Sequence, residues 1–229
     1  MNSALFWQDL QLGHTVIPGS HVVHGEYVRL VMNYTCQYAF MQHMFSPCDT
    51  YCRSHWKMWL QSDAEDDNSK KHMSGSRGFN TRIGSMIRHR GLIANLSLRE
   101  NLLLPFLYHA EPSRLQLALK ELDGVADLIG ISTALDEQAG ERTSLTHALV
   151  SLGRCLLSRP EIIVAQEAHI GMPPEHLARF KEISMQALQQ LDSGLLYLTG
   201  SLEEGSGLQY ARTLIINSGA QATETGQGD

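Results

Sequence analysis

No stretch of about 18 consecutive apolar residues occurs in this chain, so no transmembrane helix is expected. The N-terminal run MNSALFWQDLQLGHTVIPGS has neither a basic start nor a long apolar stretch, and it does not read as a signal peptide. Basic residues are not in surplus. The net charge of −6 gives no electrostatic case for a nucleic-acid partner. Cysteines are few (Cys36, Cys48, Cys52 and Cys155), and no internal repeat is visible. The chain is therefore expected in the cytoplasm with reduced thiols. It would sit at the inner face of the cell membrane only through a partner, without inserting directly. What is present is an ordinary globular balance, 43% hydrophobic and 18% charged residues over 229 positions. That length suits one large domain, or a core carrying an inserted subdomain.

Residues 1–32 alternate short apolar runs with turn residues such as Pro18-Gly19 and Gly25, which predicts strands ending in Tyr27–Met32. Residues 33–60 are rich in Met, Cys and aromatics, and are read as partly helical. Residues 61–79 are almost wholly polar and read as a mobile surface loop. Arg82–Ile87 reads as a strand. Ser97-Leu-Arg-Glu100 has the spacing of a capping box, in which a Ser oxygen takes a free helix N–H and the Glu three residues on takes another. The helix it opens is expected to kink or end at Pro105.

Further on, 112–130 and 144–158 carry helical periodicity, and Glu161–Ala165 suits a buried parallel strand. A helix near 174–191, a strand at Gly194–Thr199 and another at Thr213–Asn217 complete the order. Strands alternating with helices imply an α/β fold with a mostly parallel sheet. The expected division is a core of 1–94 and 151–220, a helical subdomain of 95–150 and a disordered tail of 221–229.

Three stretches resemble the ATPase subunits of ABC transporters. RIGSMIRHRGLIANLSLRENLLLPFLYH at 82–109 resembles the segment after the Q-loop that enters the helical subdomain; its closest flavour is that of Mla/MCE-type lipid transporters. LGRCLLSRPEIIVAQEA at 152–168 resembles the end of the signature helix and the Walker B strand, and YLTGSLEEGSGLQYARTLIINSGA at 197–220 resembles the H-loop region. The resemblance implies a P-loop NTPase-like fold with an N-terminal antiparallel β portion and an inserted helical subdomain. It also implies a membrane permease as partner, with a homo- or heterodimer of ATPase chains.

Against that resemblance, the nucleotide-binding residues are replaced. The phosphate loop needs G-x-x-x-x-G-K-[ST], because its glycines let backbone N–H groups close on phosphate while Lys supplies charge and the hydroxyl binds Mg²⁺. Those four positions hold Met32, Gln37, Tyr38 and Ala39. Arg88 stands at the Q-loop glutamine, Arg142–Thr146 at the signature, Gln166 at the Walker B aspartate, Pro173 at the D-loop aspartate and Gly200 at the switch histidine. Glu167 does match the catalytic glutamate. Charge-assisted hydrogen bonds contribute roughly 1.5–3 kcal/mol each. Losing about three of them removes on the order of 5–8 kcal/mol, or about four to six decades of affinity. No cofactor is expected on this reading, and ATP with Mg²⁺ only on the alternative below.

Other residues carry weaker signals. Glu167 reads as a general base or as a polar strand-end residue. Cys36, His43, Cys48, Cys52 and His55 cluster in sequence, and the Cys48, Cys52, His55 spacing permits zinc, against a reading as thiols and surface histidines. Arg88, His89 and Arg90 form an anion site or a solvated basic turn. Leu102–Leu107 forms a permease groove or plain core. The leading functional expectation is a non-catalytic scaffold or regulator of a membrane transport assembly, with a lipid as its possible cargo. The alternatives are an ATPase with an unconventional nucleotide site that energises an ABC transporter, and a redox- or zinc-responsive module.

Overall fold

The computed structural model describes residues 3–12, 14–45, 58–62, 71–72, 82–87, 92–109, 112–140, 142–203, 207–217 and 223–226. In chain order the elements are β1 (Ser3–Trp7), β2 (Leu10–Leu12), β3 (Thr15–Ile17), β4 (Ser20–Val23), β5 (Tyr27–Val31), α1 (Tyr34–Phe45), β6 (Met58–Ser62), β7 (Lys71–His72) and β8 (Ile83–Ile87). They continue as α2 (Leu98–His109), α3 (Pro112–Leu128), α4 (Ser144–Ser158), β9 (Ile162–Gln166), α5 (Pro174–Gln189), β10 (Gly194–Thr199), β11 (Arg212–Ile215) and β12 (Thr223–Gly226). No helix among the described residues is long and apolar enough to cross a membrane. The chain divides into two compact units, Met1–Phe79 with Ser193–Asp229, and Asn80–Asp192.

The first unit holds the N-terminal antiparallel portion, in the order β4-β1-β6-β7, with a β2–β3 hairpin beside it in sequence. Its parallel portion sets β5 between β10 and β11, with Leu30 opposite both Leu198 and Leu214. Strands buried on both faces read as continuous apolar runs, and all six residues of Gly194–Thr199 are buried. Phe40 of α1 is fully buried and meets Trp7 edge-on at 5.7 Å. The Trp7 indole N–H donates to Pro18 O at 2.9 Å, so its polar edge is satisfied as its ring is buried. At the other edge β12 pairs antiparallel with β11. Within the stretch 221–229 expected as a disordered tail, Thr223–Gly226 is a strand, because β11 offers it a ladder of backbone partners, and the rest of that stretch lies outside the described residues. The polar run 61–79 likewise contains β7 and the end of β6.

The second unit is built on α4. β8 and β9 pair in parallel, Ile83 opposite Ile162. Arg82 clamps Glu161 at 2.6 and 2.7 Å, pinning the two strand starts together. The Ser97–Glu100 capping box forms as expected: Glu100 N–H donates to Ser97 Oγ at 3.1 Å, and Ser97 N–H to Glu100 Oε2 at 2.8 Å. Helices α3 and α4 span 112–128 and 144–158, close to the periodicity reading. At Gly153 of α4 an added Cβ would lie 2.6 Å from Leu102 Cδ2 and 2.8 Å from Ile129 Cδ1, so these buried side-chain ends would have to shift to admit it.

Pro105 neither ends nor interrupts α2. Proline removes the N–H that would bond the carbonyl four residues back, here Asn101 O. That carbonyl is instead taken by Arg154 Nε of α4 at 2.8 Å. The helix survives because a neighbouring helix satisfies the group that proline orphans. Asn101 itself is fully buried. Its Oδ1 accepts from Ile93 N at 2.8 Å, and its Nδ2 donates to Ser97 O at 2.9 Å, which fixes the chain entering α2.

Candidate functional site

In the first unit the candidate positions gather at the turn from β5 to α1. Met32 follows the strand, and its N–H donates to Thr199 O at the end of β10 (2.8 Å). Helix α1 starts at Tyr34, so only Met32 and Asn33 separate strand from helix. Asn33 caps the helix: its Oδ1 accepts from Cys36 N at 2.9 Å, and its backbone O accepts from Gln37 N at 3.0 Å. Gln37 has no solvent exposure, and its Nε2 donates to Met32 O at 2.9 Å.

Tyr38 points outward, half exposed. It stacks near-parallel with Tyr34 at 6.5 Å, and its hydroxyl accepts from Gln42 Nε2 at 2.7 Å. Ala39 is half-buried on the same helix. Gly200 lies exposed just past β10. Close to it, Arg29 donates to Leu202 O at 2.8 Å, with its guanidinium 4.7 Å from the Tyr210 ring centre.

In the second unit Gln166 ends β9 and Glu167 follows it, both buried. Glu167 sits at φ +43°, a left-handed conformation. A non-glycine residue pays on the order of 1–2 kcal/mol for that geometry. Its carbonyl closes a turn by accepting from Ile170 N at 3.1 Å, and Pro173 lies exposed where α5 begins. Arg142 folds back, with Nη2 on Glu137 at 2.8 Å and Nε on Ala139 O at 3.1 Å. Thr143 caps α4, its hydroxyl accepting from Thr146 N at 3.3 Å.

The second unit also carries a groove of about 410 Å³. Ile83, Ile87, Ile93, Leu104, Pro105 and Tyr108 line it, and Arg154 and Cys155 contribute as well. At this groove Ile93 and Tyr108 are exposed, with Tyr108 at 72%. Burial pushes the Cys155 thiol up to about 12 and pulls Arg154 down from the usual guanidinium range. The Leu102–Leu107 stretch divides by burial. Leu102 is fully buried core, whereas Leu104 and Pro105 face the groove.

Arg88, Cys48, Cys52 and His55 lie outside the described residues, as does the side chain of His43. Cys36 is buried in α1. Among the described residues no group of three His, Cys, Asp or Glu side chains could hold a metal ion. Sequence reasoning missed Asn33, although an Asn ahead of a helical run is a capping signal that could have found it. It also missed the Arg154–Asn101 contact, which joins residues 53 positions apart and has no local signature.

No protein-family profile matches the chain. It is 28% identical over 145 residues to the molybdenum import ATP-binding protein ModC of Paramagnetospirillum magneticum, covering 63% of this chain and 38% of that protein. It is 19% identical over 139 residues to the methionine import ATP-binding protein MetN 1 of Pseudomonas fluorescens, covering 61% and 41%. The chain thus spans less than half the length of these curated relatives. Among solved structures, an ATP-binding subunit of an ABC transporter superposes with a TM-score of 0.72 at 14% identity, over 97% of this chain and 90% of that one. The cbiO1 protein of Clostridium perfringens, part of an ABC transporter complex, gives 0.69 at 12% identity over 95% and 87%. The chain has the α/β fold of ABC-transporter ATP-binding subunits and is similar to such subunits in sequence.

Proposed function

We propose that this chain is an ABC-ATPase-like subunit of a membrane transport assembly that docks on a permease but does not itself turn over ATP. One observation carries the non-catalytic part: α1 begins only two residues after β5, and Asn33 caps its first turn. A phosphate loop works by pointing free backbone N–H groups at an anion. Here Asn33 Oδ1 takes the N–H of Cys36, while the N–H of Gln37 makes the ordinary first helix bond to Asn33 O and the Gln37 side chain donates to Met32 O. The turn carries no lysine. At the start of α4, Thr143 similarly takes the N–H of Thr146. These features support a turn that does not hold a nucleoside triphosphate in the family's usual way.

Docking is supported by the second unit's groove, whose apolar walls and exposed Tyr108 suit an amphipathic helix of a permease. Membrane association would then be peripheral and through that partner, either with a second copy or with another ATPase chain. A lipid-type cargo rests on the resemblance of residues 82–109 alone. The relatives are instead named as molybdenum and methionine import proteins.

A second reading has the comparisons on its side. The curated relatives are ATP-binding import proteins. An ATPase with an unconventional site would use Glu167 to activate water and Arg88 toward phosphate. The buried, left-handed Glu167 is the observation that favours it, since strained residues collect at functional sites.

Calorimetric titration with ATP and Mg²⁺ at millimolar nucleotide separates the two readings. The non-catalytic reading expects no binding heat. Clear binding, with turnover abolished by Glu167→Gln, would establish the second reading and sink the first.

A further inference from the structure

A strand set between two parallel neighbours is expected to be apolar, and β5 has Val28 and Leu30 fully buried. Arg29 stands between them in sequence and so on the other face, opposite Tyr197 of β10 and Thr213 of β11. A guanidinium offers several donors in a planar fork and a flat face, and here it reaches three segments at once. Its Nε donates to Thr213 Oγ1 within β11 at 3.3 Å. Its Nη1 donates to Leu202 O, just after β10, at 2.8 Å. Its central carbon lies 4.7 Å from the centre of the Tyr210 ring, just before β11. That ring is buried and meets the Tyr197 ring at 6.1 Å. Around Leu202 the chain turns on itself: Thr199 Oγ1 accepts from Ser201 N at 3.3 Å, and Ser201 Oγ accepts from Glu203 N at 3.2 Å. One side chain of β5 therefore meets the chain as it leaves β10 and again as it approaches β11.

We infer that Arg29 is a clamp that ties the exit of β10 to the approach to β11, so that the two segments hold or release together. The inference goes beyond the proposed function and does not depend on whether the chain binds a nucleotide. Arg29 acts through Leu202 and Tyr210, which makes it a positioning residue. What distinguishes a clamp from ordinary packing is coupling: a change at Tyr210 must be felt at residues 201–203, which lie on the opposite side of the guanidinium's contacts. Lysine would not serve in its place. Its ammonium is a single point charge, with no planar fork to span Leu202 O and Thr213 Oγ1 while a flat face covers Tyr210.

Residue-resolved hydrogen exchange of the full chain tests it at the amides of Ser201 and Glu203, with the Tyr210 ring signals in NMR spectra as a second readout. In Arg29→Met, exchange at both amides should rise about tenfold, equivalent to about 1.4 kcal/mol, and the Tyr210 ring signals should move. Those amides bond Thr199 and Ser201 rather than Tyr210. Tyr210→Leu should nevertheless raise their exchange, and it should add nothing further in the Arg29→Met background. Arg29→Lys keeps the charge and loses the fork, and it should raise exchange as Arg29→Met does. It also covers the case in which Arg29→Met fails to fold. Wild-type exchange at Ser201 and Glu203 in either Arg29 variant overturns the clamp. An effect of Tyr210→Leu confined to residues 207–213, or one that adds in full to that of Arg29→Met, overturns it as well, since either is what independent packing gives.

Discussion

Asn33 is the smallest unit on which the first site depends. Its side chain replaces a missing helical partner for Cys36 N–H. Removing such a cap costs about 1 kcal/mol. Asn33→Ala should lower stability by about that amount in urea titration while Asn33→Asp stays near wild type, because aspartate caps as well as asparagine. Equal losses in both variants would show that capping is not the cause.

Cys155 makes a prediction with a sign. Burial holds its thiol at about 12 in the folded chain against the ordinary 9.0. Above the ordinary value the unfolded chain releases this proton while the folded chain keeps it. Stability therefore falls as pH rises from about 9 towards 12. Denaturation midpoints should drop between about pH 8 and about pH 10.5, and less so in Cys155→Ala. In the same experiment native Cys155 should resist iodoacetamide until the protein is unfolded, read by mass spectrometry.

At the scale of elements, one backbone carbonyl of α2 depends on a side chain of α4. Pro105 leaves Asn101 O without its helical donor, and Arg154 supplies one. Arg154→Met should cost about 1–3 kcal/mol, the desolvation of an unsatisfied buried group. Pro105→Ala restores an N–H to the helix. It should therefore recover more stability in the Arg154→Met background than it adds to the wild type. A double-mutant cycle with no coupling between the two would refute that account of why proline is tolerated.

Gly153 shows the same close approach of helices from the packing side. The space for a methyl group is already filled by Leu102 and Ile129. Gly153→Ala should destabilise by about 1–3 kcal/mol despite alanine's better helix propensity, because overpacking outweighs it.

At the scale of the molecule, the groove and the turn are separate tests of separate claims. Tyr108 is 72% exposed, so its replacement leaves the core alone. If the groove receives a permease helix, Tyr108→Asp should reduce the fraction of the protein that sediments with membranes of its own cell. The melting temperature should stay unchanged. Undiminished sedimentation would move the docking surface elsewhere. Nucleotide titration bears on the first claim of the proposed function and leaves this one untouched, so either can fail alone.

Periodicity and capping were enough to locate most elements. The Ser97–Glu100 box, the helix at 144–158 and the strand at 194–199 are all local patterns, and each element follows from residues within a few positions of one another. Met32, Gln37, Tyr38 and Ala39 were singled out through the resemblance, and the structure places them at the end of β5 and on α1. Three things were not legible. They are the strand at Thr223–Gly226, the continuity of α2 through Pro105 and the burial of Gln37 over its own turn. Each depends on a partner for a backbone group: β11 for the last strand, Arg154 for Asn101 O, Gln37 Nε2 for Met32 O. Local sequence determines which backbone groups a segment can satisfy by itself. Only the tertiary structure decides which of the remaining groups find a donor or acceptor, because those partners arrive from elsewhere in the fold or by a side-chain rotamer set by packing.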